Sequence, residues 1–573
     1  MTPPRSTDRF LAIATAGHVD HGKTSLVRHL TGVDTDTLAE EKARGLTINT
    51  GYAYRHFHTG SGQPATLGFV DVPGHSDFIH NMLAGVGAVH SALLVVAAAD
   101  GVMPQTREHL AILELLGVNR LSIALTKVDR CAAERVAEAT EQIRSLLAST
   151  PFADAPFFEI DNLSGGGVAQ LAAHLETLTQ HGDEGAAEDA QRPRFLIDRC
   201  FVAKGIGTLV TGTMVAGTIG LGESLTHSAS GREARIRAIR LDKSDLDQLS
   251  AGQRAALNLS LSHELIQRGD WLGADDAGKL RLDVELRLLD ASLTLKQGVD
   301  YHLHMGAAHR LARVRPLDAQ DQLYQLSLDE TVSAYWGDRF ILRDPSARRT
   351  LGGGRVLDVA VPNRGRASAE RLAALRAQRG ASVEALAELT ARSEFGIELA
   401  SFAQARNLAP PAVDALLSRL PPEISSISLP GEAWPHLIAA TAKRQREQVI
   451  VQAVTAFHGA RPSEMGMNEK ALISACGKAS AAPLVTRLVQ QLVSSGALRR
   501  SGNQLSLPTH RVQASREREE FEKTIEPLLR RGGLTPPRTR EIVEATGIPL
   551  KAVERILQDC ARAGAAVRVA DNR

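Results

Sequence analysis

Only four cysteines occur in 573 residues (Cys131, Cys200, Cys476 and Cys560), and they are widely scattered. No two have metal-ligand spacing, and so few dispersed thiols suit a reducing cytoplasm rather than a disulfide framework. Each reads as an inert core residue. Long apolar runs are lacking too. The longest, Ala92 to Ala99, is stopped by Asp100, far short of the roughly 20 residues a membrane span needs, so no membrane partner is expected. The N-terminal MTPPRSTD has no basic stretch feeding a long apolar core, so no secretion signal is expected either. An excess of charge of one sign is also missing, the net charge being +1.

That near-neutrality hides an asymmetry. Residues 363–573 carry 30 Lys+Arg against 21 Asp+Glu, whereas residues 1–362 carry 36 against 44. A basic C-terminal part points to a phosphate-rich partner, although a merely solvated surface has the same composition. With 43% hydrophobic and 23% charged residues, the chain has an ordinary globular composition, and its length is too great for one core, so several domains are expected.

Texture divides the chain. Strands are predicted at Leu11–Ala16, Thr66–Val72, Ala92–Ala99, Leu121–Thr126 and Phe157–Ile160, with helices between them, among them Lys23–Leu30 and Val168–Leu178. That alternation implies a doubly wound parallel sheet over residues 1–185. The polar, acidic stretch Gly182–Pro193 reads as a linker. From Phe201 the sequence FVAKGIGTLVTGTMVAGTIGLGESL is rich in Gly, Thr and Val at short spacing, which predicts a small β-barrel over 193–278. A second barrel is expected over 279–362. Beyond it, three loose repeats of helix, turn, helix and strand predict winged-helix modules at 363–435, 436–508 and 509–573. The last ends in a strand at Ala565–Val569. Helical repeats that pack only on protein are the alternative.

Three motifs carry chemistry. Gly17-His18-Val19-Asp20-His21-Gly22-Lys23-Thr24 fits G-x-x-x-x-G-K-[ST] between a predicted strand and a predicted helix. Its backbone N–H groups would close around phosphate oxygens, Lys23 would neutralise the β- and γ-phosphates, and Thr24 would ligate Mg²⁺. Asp71-Val72-Pro73-Gly74-His75 ends the strand from Thr66. Asp71 would face the metal shell, and the Gly74 N–H would sense the γ-phosphate. Thr126-Lys127-Val128-Asp129 ends another strand, where Asp129 would accept two hydrogen bonds from guanine and Lys127 would lie along the base. Each motif alone is weak, but together they share the edge of a parallel sheet at which ligands bind. Thr47, in Arg44-Gly45-Leu46-Thr47-Ile48, would complete the Mg²⁺ shell when GTP rather than GDP is bound.

GHVDHGKTSL, RGLTI, DVPGH and MPQTREHL together resemble the translational GTPases, of which elongation factor Tu is the familiar member. That resemblance implies that His75 is the catalytic residue, positioning the attacking water, and that Val19 and Leu46 occupy the positions of the apolar side chains restraining it. Within the superfamily the chain is most similar to the selenocysteine-specific elongation factors of the SelB type. The cues are ATAGHVDHGKT, Thr126-Lys127 where elongation factor Tu has Asn-Lys, DRCFVAKGIGTLVTGT, AGQRAALNL, QRGDWL and the winged helices. The resemblance implies a cytoplasmic, monomeric carrier that brings selenocysteinyl-tRNA to the ribosome at recoded UGA codons and hydrolyses GTP on release. A selenol is ionised at neutral pH where serine is neutral, so discrimination needs a cation beside the side chain. The resemblance places Arg268 in that aminoacyl pocket with Asp198, and Arg199 beside them.

Two departures stand out. The usual Ser-Ala of the guanine loop is replaced by Ile160-Asp161-Asn162-Leu163, so no residue there is assigned. Bacterial relatives usually carry four winged helices, the last gripping an mRNA hairpin. Three are counted here and a fourth is expected to be absent, which leaves hairpin binding by this chain open; Arg530, Arg531, Arg538, Arg540 and Arg555 remain candidates for RNA phosphates. Two other functions stay in view: a carrier of ordinary aminoacyl-tRNA with an added RNA-binding tail, and a GTP-switched nucleic-acid-binding regulator.

Overall fold

The computed structural model describes residues 9–36, 47, 49–74, 79–86, 89–179, 190–273, 278–477, 481–512, 519–533, 535–562 and 564–568. The chain divides into two compact units, one of residues 1–389 with 401–420, the other of 390–400 with 421–573.

The first unit begins with the nucleotide-type sheet. Its elements are β1 (Arg9–Ala16), α1 (Lys23–Thr31), β2 (Gly51–His58), β3 (Pro64–Asp71), α2 (Ile79–Val86), β4 (Ser91–Ala97), α3 (Pro104–Leu115), β5 (Arg120–Thr126), α4 (Ala133–Leu147), β6 (Phe157–Ile160) and α5 (Val168–Leu178). The strands lie in the order β2-β3-β1-β4-β5-β6. Alternate residues face opposite sides of a strand, and both sides are covered. Ile13, Phe69, Leu93 and Val95 pack under α1 and α5. Ala14, Val70, Leu94 and Val96 pack under α2, α3 and α4. The expectation of an all-parallel sheet is corrected in one respect. β2, which the sequence reading missed, pairs antiparallel with β3, Gly51 opposite Asp71 through His58 opposite Pro64. As an edge strand it needs only one backbone partner, and its polar side chains find partners on its faces, Arg55 in Glu176 at 2.9 Å and Tyr52 in a packed core.

Two antiparallel barrels follow. In the first, strands run in the order β10 (Ser224–His227), β15 (Trp271–Gly273), β7 (Arg194–Ala203), β8 (Gly207–Ala216), β14 (Arg254–Leu259) and β11 (Glu233–Leu241), with β12 (Ser244–Leu246) added to β11. Pairing of β10 with β11 closes the ring. β9 (Thr218–Gly220) and β13 (Gln248–Ser250) form a separate pair. The second is a closed barrel of β16 (Lys279–Leu288), β19 (Leu323–Val332), β18 (Ala308–Asp318), β17 (Asp300–Met305), β20 (Arg339–Arg343) and β21 (Thr350–Asp358). Arg194 joins the barrels, its guanidinium bonded to Asp338 at 2.8 and 2.9 Å and held between the Trp271 and Tyr335 rings. Helix α3 docks on the second barrel through Glu108–Thr350 (2.8 Å) and Glu114–Arg287 (2.6 Å).

The helices Ala369–Ala377, Leu399–Ala405 and Pro410–Ser418 belong largely to this first unit. Arg371 donates to Asp283, which is fully buried, and to Asp358 at 2.7 Å. Arg406 is buried against the Trp336 ring at 3.7 Å.

The second unit holds a three-stranded sheet of Ile397–Glu398, His436–Ala439 and Ile424–Ile427, the long helix Ala440–Ala460, and the helices Glu469–Cys476 and Ala482–Ser494 with a small sheet from Met467 to Ser506. A last cluster packs Phe521 and Ile525 of the helical segment Phe521–Ile525 against Ile542, Val553 and Ile556 of the helices Thr539–Thr546 and Leu550–Arg562. The strand expected at Ala565–Val569 is corrected: residues 565–568 form none, because no described segment offers them a ladder, and Val569 lies outside the described residues.

Candidate functional site

The three motifs meet in a cleft of about 430 Å³, lined among others by Val19, Asp20, Gly22, Lys23, Thr24, Thr47, Gly74, Lys127 and Asp129. Gly17 passes so close to β4 that a Cβ would fall 2.1 Å from the Val95 carbonyl, and its φ of 134° is one that only glycine adopts freely. Its N–H donates to His109 Nδ1 at 3.1 Å, and the Val19 N–H donates to Gln105 Oε1 at 3.3 Å. Helix α3 therefore braces the phosphate loop, a role for MPQTREHL that no spacing rule disclosed. Burial holds His109 down to about 3 and His21 to about 4, so both stay neutral at physiological pH. His18 stands edge-on to His21, ring centres 5.1 Å apart. Asp20 takes a left-handed φ of 61°, backbone strain of the kind that concentrates at ligand sites. The Lys23 ammonium donates to the carbonyls of Gly17 (3.1 Å) and His18 (2.9 Å).

The residues predicted to ligate Mg²⁺ are brought together. Thr24 Oγ1 donates to Asp71 Oδ2 at 2.8 Å and lies 3.0 Å from Thr47 Oγ1. Two further residues, missed from sequence because no motif contains them, join the cluster: Thr35 bonds Asp71 at 2.6 Å, and Asp36 accepts from Thr47 at 2.8 Å. This set of hydroxyl and carboxylate oxygens fits a hard cation. Among the described residues no three His, Cys, Asp or Glu side chains cluster in a metal-binding arrangement.

At the end of β5, Thr126 is fully buried and its hydroxyl donates to the His21 carbonyl at 2.6 Å. Lys127 takes a left-handed φ of 57°, which turns the chain so that Lys127 and Asp129 line the cleft. His75 and Leu46 lie outside the described residues.

The aminoacyl-pocket candidates lie on the first barrel where it meets the nucleotide domain, and they part company. A bulge in β7 falls between Ile197 and Arg199. The Asp198 carboxylate accepts from Thr211 (2.7 Å) and from Arg254 (2.9 and 3.0 Å). Arg254 stacks 3.5 Å from the Tyr52 ring of β2; its part was not legible from sequence because only the fold brings these strands together. Arg199 instead donates to the Thr50 carbonyl at 3.0 Å, and Arg268 to Asn81 Oδ1, also at 3.0 Å. Thr50 is itself bonded to the Asn81 carbonyl at 2.9 Å. The two arginines, both on exposed positions, thus converge on one patch formed by Thr50 and α2.

Family models match three stretches: the elongation factor Tu GTP binding domain at residues 8–184, the β-barrel domain of selenocysteine-specific elongation factor at 281–363, and the winged helix of elongation factor SelB at 451–507. The selenocysteine-specific elongation factor of Escherichia coli is 36% identical over 98% of this chain and 88% of its own length. The chain belongs to the selenocysteine-specific elongation factor family. The corresponding factor of Desulfomicrobium baculatum is 30% identical over 98% of the chain and 89% of its own length. In fold, this elongation factor is similar to a crystal structure of a bacterial selenocysteine-specific elongation factor, with a TM-score of 0.72 and 22% identity over 98% of this chain and 99% of that one. It is also similar to SelB of Methanococcus maripaludis in complex with the GTP analogue GPPNHP, with a TM-score of 0.54 and 24% identity over 61% of this chain and 80% of that one. As a translational GTPase the factor binds GTP and GDP and hydrolyses GTP. No helix among the described residues is long and apolar enough to cross a membrane.

Proposed function

We propose that this factor carries selenocysteinyl-tRNA to the ribosome at recoded UGA codons and releases it on GTP hydrolysis. The proposal includes a cytoplasmic monomer whose modules follow the boundaries 1–185, 193–278, 279–362, 363–435, 436–508 and 509–573, the 363–435 module being divided, with residues 363–389 and 401–420 in the first unit. The observation that carries it is the pair of exposed guanidiniums, Arg199 and Arg268, on the Thr50–Asn81 patch. They give the first barrel a cationic surface beside a segment that GTP would order. An anionic selenolate suits such a surface and a neutral serine does not.

In the cleft, the phosphate loop and Lys23 would hold the phosphates, Gly74 would sense the γ-phosphate, and Lys127 and Asp129 would hold the guanine. Thr24, Thr47 and Asp71 would hold Mg²⁺, which when bound draws charge off the β- and γ-phosphates. His75 would orient the attacking water.

Protection of the aminoacyl ester against hydrolysis tests the tRNA assignment. Selenocysteinyl-tRNA should be protected by the GTP-bound factor and seryl-tRNA left exposed; equal protection of both would favour a carrier of ordinary aminoacyl-tRNA. His75→Ala should keep GTP binding and lose ribosome-stimulated hydrolysis, and undiminished turnover in that variant removes His75 from the mechanism.

A further inference from the structure

Two neighbouring loops at the base end depart from the elongation factor Tu pattern together. Thr126 stands where elongation factor Tu has asparagine. A hydroxyl carries one proton, and that of Thr126 is committed to the His21 carbonyl at 2.6 Å, with the Val96 carbonyl at 3.3 Å sharing it. Thr126 therefore has no donor left for a ligand. Across the phosphate loop, Asn162 in the loop after β6 points its Nδ2 at the Gly22 carbonyl, 3.4 Å away. The fit is close: a Cβ on Gly22, whose φ is 84°, would lie 2.5 Å from that nitrogen. The loop is held on both sides of Asn162. His29 Nε2 lies 2.5 Å from the Asn162 carbonyl, and the Asp161 carboxylate accepts the amides of Leu163 (2.7 Å) and Ser164 (3.2 Å). Asn162 lines the cleft with Lys127, Asp129 and Leu163.

We propose that Asn162 is a specificity-determining residue for the nucleotide. One Nδ2 proton braces the phosphate loop at Gly22, and the other meets the O6/N7 edge of guanine, where adenine presents an amino group instead of an oxygen. Thr126 and Asn162 thus divide between two loops what a single asparagine at 126, with two donors on one nitrogen, can do alone. The proposal rests on the base-binding reading of Lys127 and Asp129.

The test uses the full chain titrated with fluorescent GDP, and with IDP, which keeps O6 but lacks the 2-amino group. Asn162→Ala should weaken both by the same factor, roughly tenfold, since the lost contact is to the shared edge. Thr126→Asn in the Asn162→Ala background should recover most of that loss. A loss below about threefold, or a loss that Thr126→Asn leaves unrepaired, overturns the proposal. Asp129→Asn checks the underlying reading separately, because it should move preference from GDP to XDP. If it does not, the base-binding reading falls. If it does while Asn162→Ala is silent, only the role of Asn162 falls.

Discussion

Lys23 shows how a single buried group ties nucleotide binding to pH. It is 6% exposed, and burial pulls its ammonium down to about 8 despite the opposing pull of Asp71, Asp20 and Asp36. Phosphate oxygens favour the charged form, so a bound nucleotide raises this pKa again. Binding therefore selects the protonated lysine. Affinity for GDP should be level below about pH 8 and fall as pH rises above it, by up to about tenfold per unit until the pKa of the complex is reached. Equilibrium titrations at several pH values between about 7 and 9.5 measure this, and a flat profile would show that Lys23 is charged throughout in the free protein.

At the scale of elements, the decisive contact is between strands from different domains. Arg254 of β14 bonds Asp198 of β7 and covers Tyr52 of β2, and both charged side chains are largely buried. Removing one partner of such a pair leaves the other charge uncompensated, at a cost of roughly 3–5 kcal/mol. Arg254→Ala should therefore lower the thermal midpoint sharply. The double variant Asp198→Asn with Arg254→Met, which buries no charge, should regain much of it. If the double variant melts as low as the single one, packing on Tyr52 rather than the charge pair is what matters. This contact also marks the limit of what the sequence disclosed. Lys23, Asp71 and Asp129 were legible because each stands at or just beyond the end of a sheet strand, a position that local pattern predicts. Arg254, His109, Thr35 and Asp36 act through neighbours brought to them only by the tertiary fold. β2 escaped notice because an edge strand with one open side loses the apolar alternation, and the expected strand at Ala565 failed because extended propensity without a ladder partner makes no sheet.

At the scale of the molecule, the first unit reaches past the second barrel. The helix Ala369–Ala377 sets Leu375 against Leu323 and Leu357 of that barrel. Its Arg371 satisfies Asp283, a carboxylate with no exposure whose other partner is Gln325 at 2.8 Å. Further along, Asn407 returns to the start of the first barrel, its side chain donating to the Arg192 carbonyl at 2.9 Å while the Arg192 N–H donates to its own carbonyl at 2.9 Å. A fragment cut at residue 362 would uncover these leucines and strand a buried charge, whereas one cut at 420 keeps every one of these contacts. The loss at Asp283 alone is on the order of 3–5 kcal/mol, which for a domain of this size shifts unfolding by several degrees. With GDP present in both, residues 1–420 should melt cooperatively and well above residues 1–362. Matching midpoints would mean that the barrel carries Asp283 without help, and that residues 369–420 are attached to the GTPase core rather than part of it.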